Sequence, residues 1–146
     1  MAKLKTTRGL QSPLVAEFVF DVLNDEMVNT GGTLDNFKTV ASHVFDAIYL
    51  PPGAVVIGGE VTTETAVTGS TAYNVSVGDA TLATRYLGAT DRVAAGRTPL
   101  VPTNLVSAGE QIRVTVAPTV AAATAGKISV RVMYVVRNRV TEVQTH

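Results

Sequence analysis

Histidine and cysteine, the side chains most often used for acid–base and nucleophilic chemistry, are scarce in this sequence. The only histidines are His43 and His146, and cysteine is absent. The lack of cysteine excludes thiol catalysis, disulfides and zinc sites built from thiolates. A general base must lie within hydrogen-bond reach of the proton it removes. His43 lies near Phe45 and Tyr49 in an extended segment, so we expect a packed or partner-facing histidine rather than a catalytic one.

Two aspartates in the least regular part of the sequence are candidate metal ligands. Asp79 and Asp91 lie close to Arg85 and Arg92, between predicted strands. Carboxylate oxygens on loops suit Ca²⁺, but the Asp-x-Asp spacing of a calcium loop is missing. Salt bridges to the arginines account for the same residues, and we therefore predict no metal site.

Glu60 and Glu64 are the carboxylate pair that a glycosidase would require. Such an enzyme places its two carboxyl groups on either side of a cleft. These two glutamates instead lie on one face of the same predicted strand, which indicates a solvent-facing surface. The sequence therefore predicts no catalytic residues and no cofactor, and we expect a protein that is not an enzyme.

The elements that carry these residues show the period-two alternation of half-buried β-strands. The clearest strand spans 127–137, where the side chains predicted to face inward are Ile128, Val130, Val132, Tyr134 and Val136. Similar strands are predicted at 15–23, 39–50, 54–67, 72–77 and 111–117, with a bulge at Gly58-Gly59. Residues 24–38 read as a long loop, and residues 118–126 as the turn of an antiparallel hairpin formed by the last two strands.

The pattern predicts an all-β protein, an antiparallel β-sandwich of about eight strands. Residues 14–146 form its single domain, and residues 1–13 form an irregular N-terminal arm. The arm contains Lys3, Lys5 and Arg8 but no acidic residue. It is either a frayed terminus or a basic arm that becomes ordered on binding a partner.

Composition narrows the classes of partner. Twelve basic residues balance twelve acidic ones, so no net charge draws the chain to nucleic acid or to an anionic membrane. No apolar stretch approaches the roughly 20 residues of a membrane span. The chain lacks tryptophan and has four tyrosines and four phenylalanines, most of them at core positions of strands. This scarcity of aromatic platforms disfavours binding of glycans and of single-stranded nucleic acid.

Several segments together resemble a known family. They are 73–79 (YNVSVGD), 84–87 (TRYL), 95–97 (AGR), 108–116 (AGEQIRVTV) and 125–132 (AGKISVRV). As a set they are similar to the capsid decoration, or cement, proteins of tailed bacteriophages, which have a jelly-roll fold. The resemblance covers about residues 39–137 and does not extend to residues 1–38.

The resemblance implies a non-enzymatic virion protein, made in the host cytoplasm, that lies on the capsid exterior. There it would bind the major capsid protein and cement neighbouring coat subunits. The alternative is another virion β-module, such as a head-fibre base, a tail component or a receptor- or glycan-binding domain. A hydrolytic sandwich is the third possibility.

Five residues are predicted to contact partners. Because the predicted strand 39–50 is apolar on both faces, we expect a second copy to cover Phe45 and Tyr49, which the alternation places on one face. The Val135-Val136 end of the last strand has the same character. A homodimer is favoured and a homotrimer is the alternative. Lys3, Lys5 and Arg8 are predicted to bind the coat, whose outer surface the resemblance implies to be acidic.

Overall fold

The computed structural model describes residues 13–137, and ten β-strands form the regular structure of this range. In chain order they are β1 (Leu14–Asp21), β2 (Glu26–Val28), β3 (Leu34–Asn36), β4 (His43–Tyr49), β5 (Ala54–Thr68), β6 (Ala72–Gly78), β7 (Leu87–Asp91), β8 (Gly96–Pro99), β9 (Gln111–Thr119) and β10 (Ala125–Val136). Within the described range there is no helix that could serve as a membrane span.

Eight of the strands form two four-stranded sheets that pack as a sandwich. Sheet 1 has the order β1-β10-β5-β8, and sheet 2 has the order β4-β9-β6-β7. Every pairing is antiparallel. The chain changes sheet at most connections, which gives a jelly-roll-like sandwich. The predicted all-β fold is therefore confirmed.

The core is formed by the inward faces of the two sheets and has four phenylalanines at one side. The Phe37 ring lies 4.3 Å from Phe20 and 4.4 Å from Phe45, measured between centroids, and 6.3 Å from Phe18. The hydroxyl of Tyr73 donates a 2.7 Å hydrogen bond to the carbonyl oxygen of Phe37. Burial raises the pKa of the Tyr73 phenol far above its ordinary value, so this hydroxyl keeps its proton and remains a donor.

Two connections differ from the sequence prediction. The predicted hairpin of the last two strands is wrong, because β9 pairs with β4 and β6 in sheet 2 whereas β10 pairs with β1 and β5 in sheet 1. Residues 120–124 thus carry the chain from one sheet to the other. The predicted loop at 24–38 contains the short hairpin β2-β3. Alternation identifies a strand but not its partner, and strands of three residues are too short to show it.

The predicted bulge in β5 is confirmed. Met133 is opposite Gly58 and Tyr134 is opposite Val56, so Ile57 is the extra residue. Gly59 follows with a φ of 139°, and a Cβ atom there would overlap the carbonyl oxygen of Arg131. A side chain is therefore excluded at Gly59 by its neighbour and by its backbone conformation.

A second bulge, in β4, changes which residues face the core. The register against β9 shifts between Asp46 and Ile48, so the alternation changes phase in mid-strand. As a result Phe45 is fully buried at 0% exposure, whereas Tyr49 is 71% exposed. The prediction that Phe45 and Tyr49 share a face is wrong for this reason. The strand is also shorter than the predicted 39–50, since residues 39–41 form bends and Ser42 is irregular before β4 begins at His43.

Candidate interaction surfaces

His43 is held in a buried hydrogen-bonding cluster between β3 and β4. Its Nδ1 atom lies 2.5 Å from a carboxylate oxygen of Asp35, and its Nε2 atom lies 3.1 Å from the carbonyl oxygen of Thr39. Burial alone would raise the pKa of Asp35, but hydrogen bonds from His43, the Asn36 backbone N–H and the Asn29 amide lower it below the ordinary value. Both ring nitrogens thus have structural partners, as expected for a packed histidine.

Asp79 and Asp91 serve as turn caps. Asp79 accepts hydrogen bonds from the backbone N–H groups of Thr81 (2.9 Å) and Leu82 (2.8 Å) and forms an ion pair with Arg85. Burial raises the pKa of Asp79, but the hydrogen bonds from Arg85 and the two N–H groups outweigh it, and the net shift is downward. Asp91 accepts a 3.1 Å hydrogen bond from the backbone N–H of Val93, two residues later, and a 3.0 Å one from the backbone N–H of Tyr73 on β6.

The predicted salt bridge between Asp79 and Arg85 is thus present. Over residues 13–137, no three or more histidine and carboxylate side chains are grouped in a way that would hold a metal ion.

These carboxylates make the stability of the fold sensitive to acid. The folded-state pKa values of Asp21, Asp35 and Asp79 all lie below the ordinary 3.8. Their contribution is therefore complete at neutral pH and is lost as the pH falls from about 4 through the folded-state values. We expect urea denaturation to give a lower free energy of unfolding at pH 3 than at pH 7.

Replacement of Asp79 isolates one part of this effect. Asp79→Asn removes the negative charge that strengthens the hydrogen bonds from the Thr81 and Leu82 N–H groups and from Arg85. It should lower the free energy of unfolding at pH 7 by about 1.5–3 kcal/mol. The variant should also lose less stability between pH 7 and pH 3 than the wild type. Glu26→Gln, at the exposed start of β2, is the matched control. Equal pH dependence in Asp79→Asn and wild type would contradict the assignment.

The outer face of sheet 1 has an apolar half, which we call the apolar patch: Val15, Val55, Ile57, Met133 and Val135. Val15 is paired with Met133 across β1 and β10, and Val135 is paired with Val55 across β10 and β5. Val15 is 60% exposed, Ile57 41% and Met133 38%. Adjacent exposed apolar side chains of this kind are characteristic of interaction surfaces.

A shallow depression lies beside the apolar patch. It has a volume of about 270 Å³ and is lined by Val15, Gly59, Glu60, Arg131 and Met133. Of the two glycines at the β5 bulge, Gly59 lines this depression.

Next to the apolar patch lies the charged row, which crosses all four strands of sheet 1: Glu17 on β1, Arg131 on β10, Glu60 on β5 and Arg97 on β8. Arg131 is 3.6 Å from Glu17 and 3.2 Å from Glu60, and Arg97 is 3.1 Å from Glu60, each measured between nitrogen and oxygen. The signs alternate along the row. Further along the face, Lys127 lies 3.4 Å from Glu64. Glu60 and Glu64, the carboxylate pair considered from the sequence, thus form ion pairs on a sheet surface.

Sheet 2 has a more polar outer face. Arg113 of β9 donates a 2.8 Å hydrogen bond to Asp46 of the edge strand β4. Tyr49, at the end of β4, is opposite Gln111. Tyr49 is thus available as a contact residue on a different sheet from the apolar patch, whereas the buried Phe45 is not accessible to a partner.

The predicted partner contacts of the N-terminal arm remain a prediction. Lys3, Lys5 and Arg8 lie outside the described residues. The sequence analysis did not predict the apolar patch except at Val135. There, an apolar residue at an outward position of β10 indicated a surface that a partner could cover. Val15 and Ile57 reach the same surface only through strand pairing and the bulge.

No protein-family model matches the sequence, and no curated protein does. Solved structures do match the fold, and three of the similar chains come from phage capsids. A chain of the cyanophage Pam1 capsid asymmetric unit is 22% identical with a TM-score of 0.58, over 91% of this chain and 92% of that one.

A chain of the acidic stable capsid of Helicobacter pylori bacteriophage KHP30 is 18% identical with a TM-score of 0.56, over 88% of this chain and 92% of that one. A chain of the Ralstonia phage GP4 capsid is 16% identical with a TM-score of 0.57, over 92% and 90%. The protein therefore has an antiparallel β-sandwich fold that also occurs in chains of phage capsids.

Proposed function

We propose that this protein is a non-enzymatic structural protein of a phage virion, which binds the outer surface of the icosahedral capsid and cements neighbouring coat subunits. The observation that carries the proposal is the match of at least 88% of the chain to chains of three phage capsids. The matched chains are covered over at least 90% of their length, so the likeness extends over whole chains. The strand order supports a jelly-roll topology.

The side chains whose types could carry chemistry instead form structural contacts, and this supports a structural role. His43, Asp79 and Asp91 are used by turns and buried hydrogen bonds. Glu60 and Glu64 are used by ion pairs on a sheet surface. In this proposal the partner is the major capsid protein, and the work is done by exposed sheet faces, loops and the basic arm.

The test uses shells that lack this protein. Purified full-length protein is added to such shells, and we expect it to co-sediment with them, to saturate in a fixed ratio to the coat subunits, and to raise the temperature at which the shells open. Absence of binding, or binding in a handful of copies per shell, would overturn the cement role.

The arm is tested in the same assay. We propose that Lys3, Lys5 and Arg8 attract an acidic coat surface, so a chain that begins at Leu14 should bind more weakly and with less dependence on salt. A full-length variant with K3Q, K5Q and R8Q keeps the length of the arm and separates charge from contact. If both variants bind as tightly as the wild type at low and high salt, the arm is not a contact.

A second candidate is another virion β-module that binds receptors or glycans. Tyr49 favours it, because an exposed aromatic ring at a strand end can present an apolar face to a sugar. A glycan array with the wild type and Tyr49→Ala separates the two functions. Tyr49-dependent glycan binding by a chain that does not bind shells would favour this candidate.

A further inference from the structure

The apolar patch and the charged row together define a surface that matches itself. We propose that a second copy of this chain packs face to face on the outer face of sheet 1, about a two-fold axis that runs parallel to the strands between β10 and β5. The proposal concerns self-association and does not depend on the virion role. Sheets that pack face to face through interdigitating side chains are the arrangement already found within the sandwich.

The first argument is the order of charges. Across β1, β10, β5 and β8 the charged row reads negative, positive, negative, positive. A two-fold axis between β10 and β5 reverses this order in the second copy and keeps its height along the strands. Glu17 then faces Arg97 of the second copy, and Arg131 faces Glu60 of the second copy. Every member of the row meets an opposite charge, which favours this register over others.

The second argument is the shape of the apolar patch. The same axis places the apolar patch of one copy on that of the other. Met133 on β10 then lies over Gly58 on β5 of the second copy, where the space above the glycine is open and adjoins the depression lined by Gly59. An unbranched methionine fits such an irregular gap well. Each copy thus supplies both the projecting side chain and the recess that receives it.

The third argument concerns the other possible occupants. The charge of the basic arm gives it no preference for this surface, since the apolar patch has no carboxylate and the charged row contains two acidic and two basic residues that already pair. An acidic coat surface is not favoured by a neutral row either. A second copy carries the reversed row at the same spacing, so it is the occupant that the charges specify.

Two charge-reversal variants should each be unable to dimerise alone but should dimerise when mixed. In Arg131→Glu the row reads negative, negative, negative, positive, so two central negative charges face each other across the axis. In Glu60→Arg two central positive charges do so. We expect each variant to be monomeric in sedimentation velocity, whereas an equimolar mixture should form a heterodimer, because all four positions are then complementary. The wild type should be dimeric at the same concentration.

A third variant tests the apolar contact. Met133→Lys places two ammonium groups near the axis and removes the side chain that enters the recess, so the dimer dissociation constant should rise at least about thirtyfold, as for loss of a hot-spot residue. Val28→Lys, at an exposed position of β2 and outside both sheets of the sandwich, is the matched control and should leave the constant unchanged. Tyr49→Lys, on the other sheet, tests the contact surface that the sequence predicted for a second copy. Circular dichroism of each full-length variant verifies that it is folded.

The possible outcomes decide the matter. The proposal requires a dimer dissociation constant below about 100 μM. A wild type that stays monomeric at all concentrations up to that value overturns it. So does a trimer, a mixture that stays monomeric, or dissociation by Tyr49→Lys but not by Met133→Lys. If the wild type is monomeric and Met133→Lys abolishes shell binding, the coat is the occupant and the second copy is not. Since shell binding and self-association are measured separately, failure of either proposal can be told from failure of the other.

Discussion

Replacing Phe37 by alanine should lower the free energy of unfolding by about 3–5 kcal/mol, a large part of the roughly 5–15 kcal/mol that holds a domain of this size together. Phe37 is fully buried and contacts Phe20 and Phe45, which belong to opposite sheets. Its removal leaves a cavity that both sheets must close. Urea denaturation followed by tyrosine fluorescence measures the change.

The control for this variant lies three residues earlier in the chain. Leu34 belongs to β3 and is exposed, so Leu34→Ala should change the free energy of unfolding by no more than about 0.5 kcal/mol. A loss below about 1.5 kcal/mol in Phe37→Ala, or an equal loss in the two variants, would contradict the central place of Phe37 in the core.

Replacing Gly59 by alanine should cost about 2–4 kcal/mol of folding stability, from the backbone conformation and the steric overlap together. At a φ of 139° the backbone is one that residues with a side chain rarely adopt, and the new methyl group would overlap the carbonyl of Arg131 on the neighbouring strand. β5 and β10 must separate locally or the bulge must change its conformation. The measurement is the midpoint and slope of urea unfolding.

Gly58 provides the matched control because it precedes Gly59 in the same bulge. A Cβ atom at Gly58 meets no other atom within 4 Å, so Gly58→Ala should be within about 0.5 kcal/mol of the wild type. Comparable losses in both variants would show that the bulge, rather than the contact with Arg131, is what resists substitution.

Much of this fold could be predicted from alternation alone. The inward residues of β10 were correctly identified, and the bulge at Gly58-Gly59 follows from two glycines in mid-strand. Alternation gave the wrong relative orientation of Phe45 and Tyr49, because a bulge between them shifts the phase of the strand and no glycine marks that bulge in the sequence. It also failed to assign β9 and β10 to different sheets, since period-two patterns do not encode partners.

The candidate surface was harder to predict than the fold. The charged row draws one residue from each of four strands that are up to 114 positions apart, from Glu17 to Arg131. Nothing local in the sequence relates these residues until the order β1-β10-β5-β8 is known. The same is true of Val15 and Met133. By contrast, the packed character of His43 followed from its apolar neighbours.

The order of strands in sheet 1 has a consequence for how the chain acquires its structure. β10 is a central strand that pairs with both β1 and β5. During synthesis β1 must therefore wait, unpaired, until β10 has left the ribosome, and β5 lacks one of its neighbours for the same period. Pairings between such distant segments are slow to form, and unpaired strand edges are prone to aggregation meanwhile. Sheet 1 thus closes late, and a surface that depends on it exists only once β10 has been made.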